Sequence, residues 1–89
     1  LASSAKFSTA QRCFVAIDWY LAEVFNGGHD QFFGNSTGIV WSDAIKGFEL
    51  LGENEFADVL KEAGKRLGAS PSRERSVREQ QLISSGAKF

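Results

Sequence analysis

The sequence has little of several residue types that often reveal a protein's chemistry. Its 89 residues include one cysteine, one histidine, one proline and no methionine. A single Cys13 cannot form an internal disulfide, which favours a reducing, cytoplasmic location over a secreted one. A single His29 has no second histidine with which to complete a metal site. We therefore expect no metal centre and no bound cofactor.

Long apolar runs are also missing. None approaches the roughly 20 residues that span a bilayer, and no charged leader precedes an apolar run as in a signal peptide. We therefore expect no membrane contact. With 43% apolar residues, the 89-residue length predicts one domain with a single core. Because the sequence begins with Leu1 rather than Met, we expect a fragment of a slightly longer chain, with residues 1–7 and 84–89 frayed.

Apolar residues recur at three- and four-residue spacing, which predicts an all-α fold. We expect a small bundle of about four helices with an irregular loop, rich in aromatic residues, after the first. Residues 26–35, with the sequence NGGHDQFFGN, form this aromatic loop. Within it, residues 29–33 could make one tight turn that places Phe32 and Phe33 against the core. Cap residues and glycines predict helices over about 8–25, 42–52, 54–67 and 70–83.

The third and fourth predicted helices differ in how much they can bury. Ser42 and Asn54 are the predicted caps of the second and third helices. The third helix has one apolar stripe, typical of a surface helix facing a core, formed by Phe56, Val59, Leu60, Ala63 and Leu67. The fourth has only three apolar residues to bury, so we expect a weak hold on the core; they are Val77, Leu82 and Ile83.

Charge is distributed unevenly along the chain. The net charge is −1, which argues against direct binding of nucleic acid. Between Asp18 and Glu62, however, there are nine acidic and two basic residues, which gives a local charge of −7. The charged residues on either side are mainly basic. The sequence thus predicts an acidic body with a basic tail.

The aromatic loop holds the polar residues that could form a site. His29 and Asp30 are the pair to consider for acid–base chemistry, but sequence neighbours rarely share a pocket wall, so we favour a structural His29 and assign no catalytic residue. The amides of Asn26, Gln31 and Asn35 either recognise a ligand or organise the loop. The second role is more common, because buried loop groups need hydrogen-bond partners.

Around this loop the sequence resembles a bacterial domain family of largely unknown function. The resemblance is carried by Glu23-Val24-Phe25-Asn26-Gly27-Gly28, then Gln31-Phe32-Phe33, Asn35 and Gly38. It covers about residues 18–67, and the arginines after Pro71 resemble the family's downstream region. His29 departs from the pattern, since an apolar aromatic residue is usual there. The family's described member is a DNA mimic that binds a transcriptional regulator.

The resemblance implies a non-enzymatic protein-interaction domain whose partner is a protein such as a transcriptional regulator. A DNA mimic presents carboxylates where a DNA-binding protein expects phosphates. We expect the contact surface on the second and third helices, at Glu49, Glu53, Glu55, Asp58 and Glu62. The basic tail does not fit mimicry, and a charge run is often only a solvated face.

Two alternatives remain open at this point. One is a small-molecule or catalytic site formed by the polar loop residues Asn26, His29, Asp30, Gln31 and Asn35. The other is a structural homo-oligomer, since an exposed Trp19 or Trp41 could form a dimer face.

Overall fold

The computed structural model describes residues 8–68 and 70–89, so the prediction that residues 1–7 are frayed lies outside the described residues. Its elements are α1 (Thr9–Gly34), a 3-10 helix (Ser36–Val40), α2 (Trp41–Leu50), α3 (Asn54–Lys65) and α4 (Arg75–Ser85). The described residues include no strand, which confirms the all-α prediction. Within these ranges, no helix combines the length and the apolar character needed to cross a bilayer.

The first helix begins where the sequence predicts and continues further than predicted. Ser8 and Gln11 form a capping box, in which each side chain accepts a hydrogen bond from the other residue's backbone N–H. Helical hydrogen bonding continues to Gly34, with a sharp break at Gly28, where φ is 78°. Glycine adopts this left-handed φ without steric cost. The predicted end near residue 25 is therefore replaced by a kink.

The short helical segment after the kink carries Phe32 and Phe33 into the core, as predicted, and both are fully buried. Tyr20 packs edge-to-face on Phe32, with ring centroids 5.0 Å apart, and on Phe48 of α2 at 5.9 Å. Such aromatic pairs add about 0.5–1.5 kcal/mol each beyond the area they bury. The core therefore joins the two limbs of α1 to α2.

The second helix starts directly from the 3-10 helix, so Val40 precedes it and the predicted Ser42 cap is wrong. Its C-terminal end follows the Schellman pattern, because the Glu53 N–H bonds the Phe48 carbonyl at 2.8 Å while Gly52 has a φ of 75°. The predicted stop at Gly52 is thereby explained. Glu53 then precedes α3, and Asn54 is its first residue rather than its cap.

The buried face of α3 is rotated from the predicted stripe. Leu60, Ala63 and Leu67 are buried, but Phe56 and Val59 are 51% and 53% exposed. Their interior places are taken by small residues, Ala57 and Gly64, whose size permits closer packing. A methyl group at Gly64 would lie 2.5 Å from the Trp41 ring, and Trp41 Nε1 donates to the Leu60 carbonyl at 2.9 Å. One tryptophan therefore fixes α3 against the start of α2.

The fourth helix starts at Arg75, five residues later than predicted. Two of its three apolar residues, Val77 and Ile83, are exposed, and the third, Leu82, is partly buried against the core, so α4 makes little apolar contact. The residue buried by α4 is Arg78, which has no solvent-exposed surface. Residues 84–89 were predicted to be frayed; in the structure Ser84 and Ser85 belong to α4, and the ring of Phe89 packs 5.5 Å from that of His29.

Candidate functional site

Two amides of the aromatic loop converge on one carboxylate of α1. Asn35 Nδ2 donates to Glu23 Oε2 at 2.8 Å, and Gln31 Nε2 donates to the same oxygen at 3.2 Å. The Gln31 side chain lies across Gly27, where any Cβ would overlap it. Hydrogen bonds to a charged acceptor are stronger than neutral ones. The residues after the kink are therefore tied back to the helix before it.

His29 is engaged with aromatic neighbours. Its Nε2 lies 2.7 Å from the Tyr20 hydroxyl, and its ring lies near those of Phe33 and Phe89. Burial lowers the pKa of His29 from its ordinary 6.5, and Asp30 partly opposes this effect. Burial also raises the pKa of Tyr20 to about 12. At neutral pH this hydrogen bond therefore joins two uncharged groups, an arrangement suited to holding the loop in place.

The five polar loop residues do not form one cluster in the structure. Gln31 and Asn35 meet at Glu23, while His29 contacts Tyr20 and lines a groove beside α3. Asn26 and Asp30 are exposed. Within residues 8–68 and 70–89, no three His, Cys, Asp or Glu side chains lie close enough together to hold a metal ion.

Arg78 is a central residue of this region that the sequence analysis missed. Its guanidinium donates to the carbonyls of Phe33 at 2.6 Å, Asn35 at 2.6 Å and Ser72 at 2.8 Å. No acid of the described residues forms an ion pair with it. The carbonyls of Phe33 and Asn35 lie at the C-terminal end of α1, where the helix dipole is negative and favours a cation.

Burial lowers the pKa of the Arg78 guanidinium, and the nearby Arg75 lowers it further. Arginine nevertheless remains charged in proteins. Gly38 provides the necessary space, because a Cβ there would overlap the Arg78 guanidinium and lie 2.9 Å from the Phe32 carbonyl. One sequence signal was available: Arg78 lies one turn before Leu82, where the inner face of α4 would otherwise carry an apolar residue.

The predicted acidic residues of α2, α3 and the turn between them are all exposed. They are Glu49, Glu53, Glu55, Asp58 and Glu62, and we call them the acidic surface. Two have basic neighbours: Glu49 pairs with Lys61 at 2.9 Å and raises its pKa, while Glu62 lies 3.9 Å from Lys65. The other three have no ion-pair partner among the described residues.

Comparison with known proteins agrees with the resemblance around the aromatic loop. A family model described as DMP19-like protein matches residues 5–88, which is nearly the whole chain. No curated protein and no solved structure is significantly similar to the sequence. The match includes α4 and its buried arginine, downstream of the motif around the aromatic loop.

Proposed function

The chain belongs to the DMP19-like family, and from this membership we propose that it is a protein-interaction domain that binds a DNA-binding protein by imitating DNA. The acidic surface is the proposed contact region. The partner is a protein such as a transcriptional regulator, whose basic side chains contact carboxylates in place of phosphates.

The observation that carries this proposal is that Glu53, Glu55 and Asp58 are exposed and have no ion-pair partner within the described part of the chain. Carboxylates that already pair with lysine or arginine on the same protein offer little to a partner's cations. Residues three or four positions apart on a helix, such as Glu55 and Asp58, have Cβ atoms about 5–6 Å apart. One basic surface can therefore contact several of these carboxylates.

The basic tail argues less strongly against DNA mimicry than the sequence alone suggests. Arg78 is buried against three carbonyls, Arg75 donates to the Gly34 carbonyl, and Arg66 donates to the Lys88 carbonyl. These guanidinium groups therefore have structural hydrogen bonds to the backbone. Their charges remain, but each donates at least one N–H to a carbonyl oxygen, and none forms an ion pair with the acidic surface.

A charge-reversal variant tests the proposal. Glu55→Lys, Asp58→Lys and Glu62→Lys together should abolish capture of a DNA-binding protein at moderate salt, and duplex DNA should displace that protein from the unmodified domain. The control reverses three exposed acids elsewhere, at Asp18, Asp30 and Glu74, with the same change in net charge. Unchanged binding by the first variant, or simultaneous binding of DNA and the domain, would contradict mimicry.

Self-association is a second proposal, because α1 leaves large apolar side chains exposed. Trp19 is 49% exposed and Phe25 is 83% exposed, whereas the indole of Trp41 already bonds to α3. We therefore propose Trp19 rather than Trp41 for any homodimer face. Sedimentation should then show a concentration-dependent mass that Trp19→Glu reduces to that of the monomer; a monomeric unmodified chain would contradict this proposal.

A further inference from the structure

A groove of about 490 Å³ lies between α3 and the last residues of the chain. One wall is a single stripe of α3 and the residue after it, because its residues lie four positions apart in two parallel rows. One row is Asp58, Glu62 and Arg66, and the other is Val59 and Ala63. The other side is formed by the rings of His29 and Phe89. Carboxylates and an apolar surface therefore meet in one concave site.

The two carboxylates of this groove accept no hydrogen bond from a basic side chain of the described residues, although Arg66 also lines the groove. Arg66 lies one helical turn after Glu62, yet its Nη1 donates to the Lys88 carbonyl at 2.7 Å. The only ion pair of Glu62 is the 3.9 Å contact with exposed Lys65, and Asp58 has none among the described residues. The Arg66 guanidinium is thus bonded to the backbone at Lys88 and forms no ion pair with either carboxylate.

The apolar part of the groove is held in place. The ring of Phe89 packs 5.5 Å from that of His29 and 5.7 Å from that of Phe33, and 45% of Phe89 is still exposed. Val59 is half-exposed and Ala63 is nearly buried. This combination offers an aromatic face and an aliphatic surface beside two carboxylates.

We propose that the groove binds one arginine side chain of the partner protein. The guanidinium contacts Asp58 and Glu62 and stacks on Phe89, while the aliphatic stem packs on Val59 and Ala63. Arginine fits better than lysine because its planar guanidinium bonds carboxylates in a fork and stacks on aromatic rings. This inference rests on the proposed function, in which a DNA-binding surface supplies the arginine.

The first test uses a defined probe and needs no identified partner. N-acetylarginine N-methylamide is titrated into the labelled domain and followed by two-dimensional NMR. We expect shifts confined to the groove, with a Kd on the order of 1–10 mM for so small a ligand. The citrulline analogue, which is neutral and nearly the same shape, should bind about tenfold more weakly because it lacks the charge-assisted bonds. Equal shifts with both probes, or shifts elsewhere, would overturn the inference.

The second test separates the groove from general electrostatics. Asp58→Asn with Glu62→Gln should weaken arginine binding about tenfold, and Phe89→Leu should weaken it while retaining an apolar side chain. The matched control, Glu53→Gln with Glu55→Gln, removes the same two charges outside the groove and should change the Kd by no more than about twofold. All four acids are exposed, so the fold should tolerate these changes.

The same two double variants then distinguish this inference from the proposed function. Partner binding that duplex DNA can displace is measured for both variants. If it falls much more for the groove variant than for its control, the proposed function and the arginine site both stand. If both variants weaken partner binding equally, mimicry stands and a specific arginine site is overturned. If the groove binds the arginine probe but neither variant alters partner capture, the proposed function fails while the site remains.

Discussion

Replacing Arg78 with methionine should destabilise the domain more than any change on its acidic surface. Methionine fills similar space without donors, so the carbonyls of Phe33, Asn35 and Ser72 all lose their charged partner. Leaving a buried hydrogen-bond acceptor without its donor typically costs about 1–3 kcal/mol. We expect about 3 kcal/mol, because Asn35 and Ser72 are only partly buried and water can replace some of the lost bonds.

This loss is large relative to the stability of a domain of this size. Eighty-nine residues imply a free energy of unfolding of about 4–13 kcal/mol. A loss of about 3 kcal/mol would lower the Tm by about 12–24 °C. Urea unfolding followed by circular dichroism measures the change directly, provided that the m-value remains constant.

Two further variants determine which property of Arg78 matters. Arg75→Met removes an exposed guanidinium that makes one backbone bond and one ion pair, and should cost less than about 1 kcal/mol. Arg78→Lys keeps the charge but loses the planar arrangement of donors, so it should fall between the two methionine variants. If Arg78→Met is within about 1 kcal/mol of the unmodified domain, the three carbonyls do not depend on this side chain and our reasoning is refuted.

Three further predictions concern the surroundings of the aromatic loop. Gly38→Ala should cost about 1–3 kcal/mol in urea unfolding because its methyl group would overlap the buried guanidinium, whereas Gly34→Ala, whose Cβ has ordinary contacts, should cost much less; equal costs would contradict the crowding argument. Tyr20 is the only tyrosine, so its ultraviolet titration should show a midpoint near 12 instead of 10.0 unless the protein unfolds first. A midpoint near 10 in the folded protein would contradict its burial. Because the pKa of His29 is lowered in the folded state, the unfolded chain takes up a proton first, and this residue's contribution to stability is lost as the pH falls from about 6.5 through the folded pKa. NMR titration of the imidazole checks this, and a pKa above 6.5 would refute it.

The sequence predicted the fold class and the start of the first helix because these depend on local patterns. Apolar spacing identifies helices, and Ser8 with Gln11 forms a short-range cap. The face of α3 could not be predicted in the same way, since hydrophobicity alone places Phe56 inside. Tertiary packing instead selects Gly64, because only a residue without a side chain permits the close approach of Trp41. That constraint joins residues 23 positions apart and has no local signature.

The candidate site was also predictable only where it depends on local sequence. The aromatic loop was recognisable from its amides and aromatic residues, but Glu23 and Arg78, which both hold its C-terminal part, lie outside it. Arg78 was grouped with the basic tail because composition counts a buried arginine and a solvated one alike. Its role emerges only when the donors are matched to carbonyls 43 and 45 positions earlier in the chain.

Net charge is consequently a poor criterion for DNA mimicry in this chain. The total of −1 combines exposed carboxylates with guanidinium groups that bond the protein's own backbone. A partner at short range meets individual side chains, because ionic screening at physiological salt limits the reach of more distant charges to about 8 Å. Arg78 extends from α4 to the C-terminal end of α1, whereas the acidic surface belongs to α2, α3 and the turn between them. The local arrangement of carboxylates, rather than the balance over 89 residues, therefore decides whether a basic surface can bind.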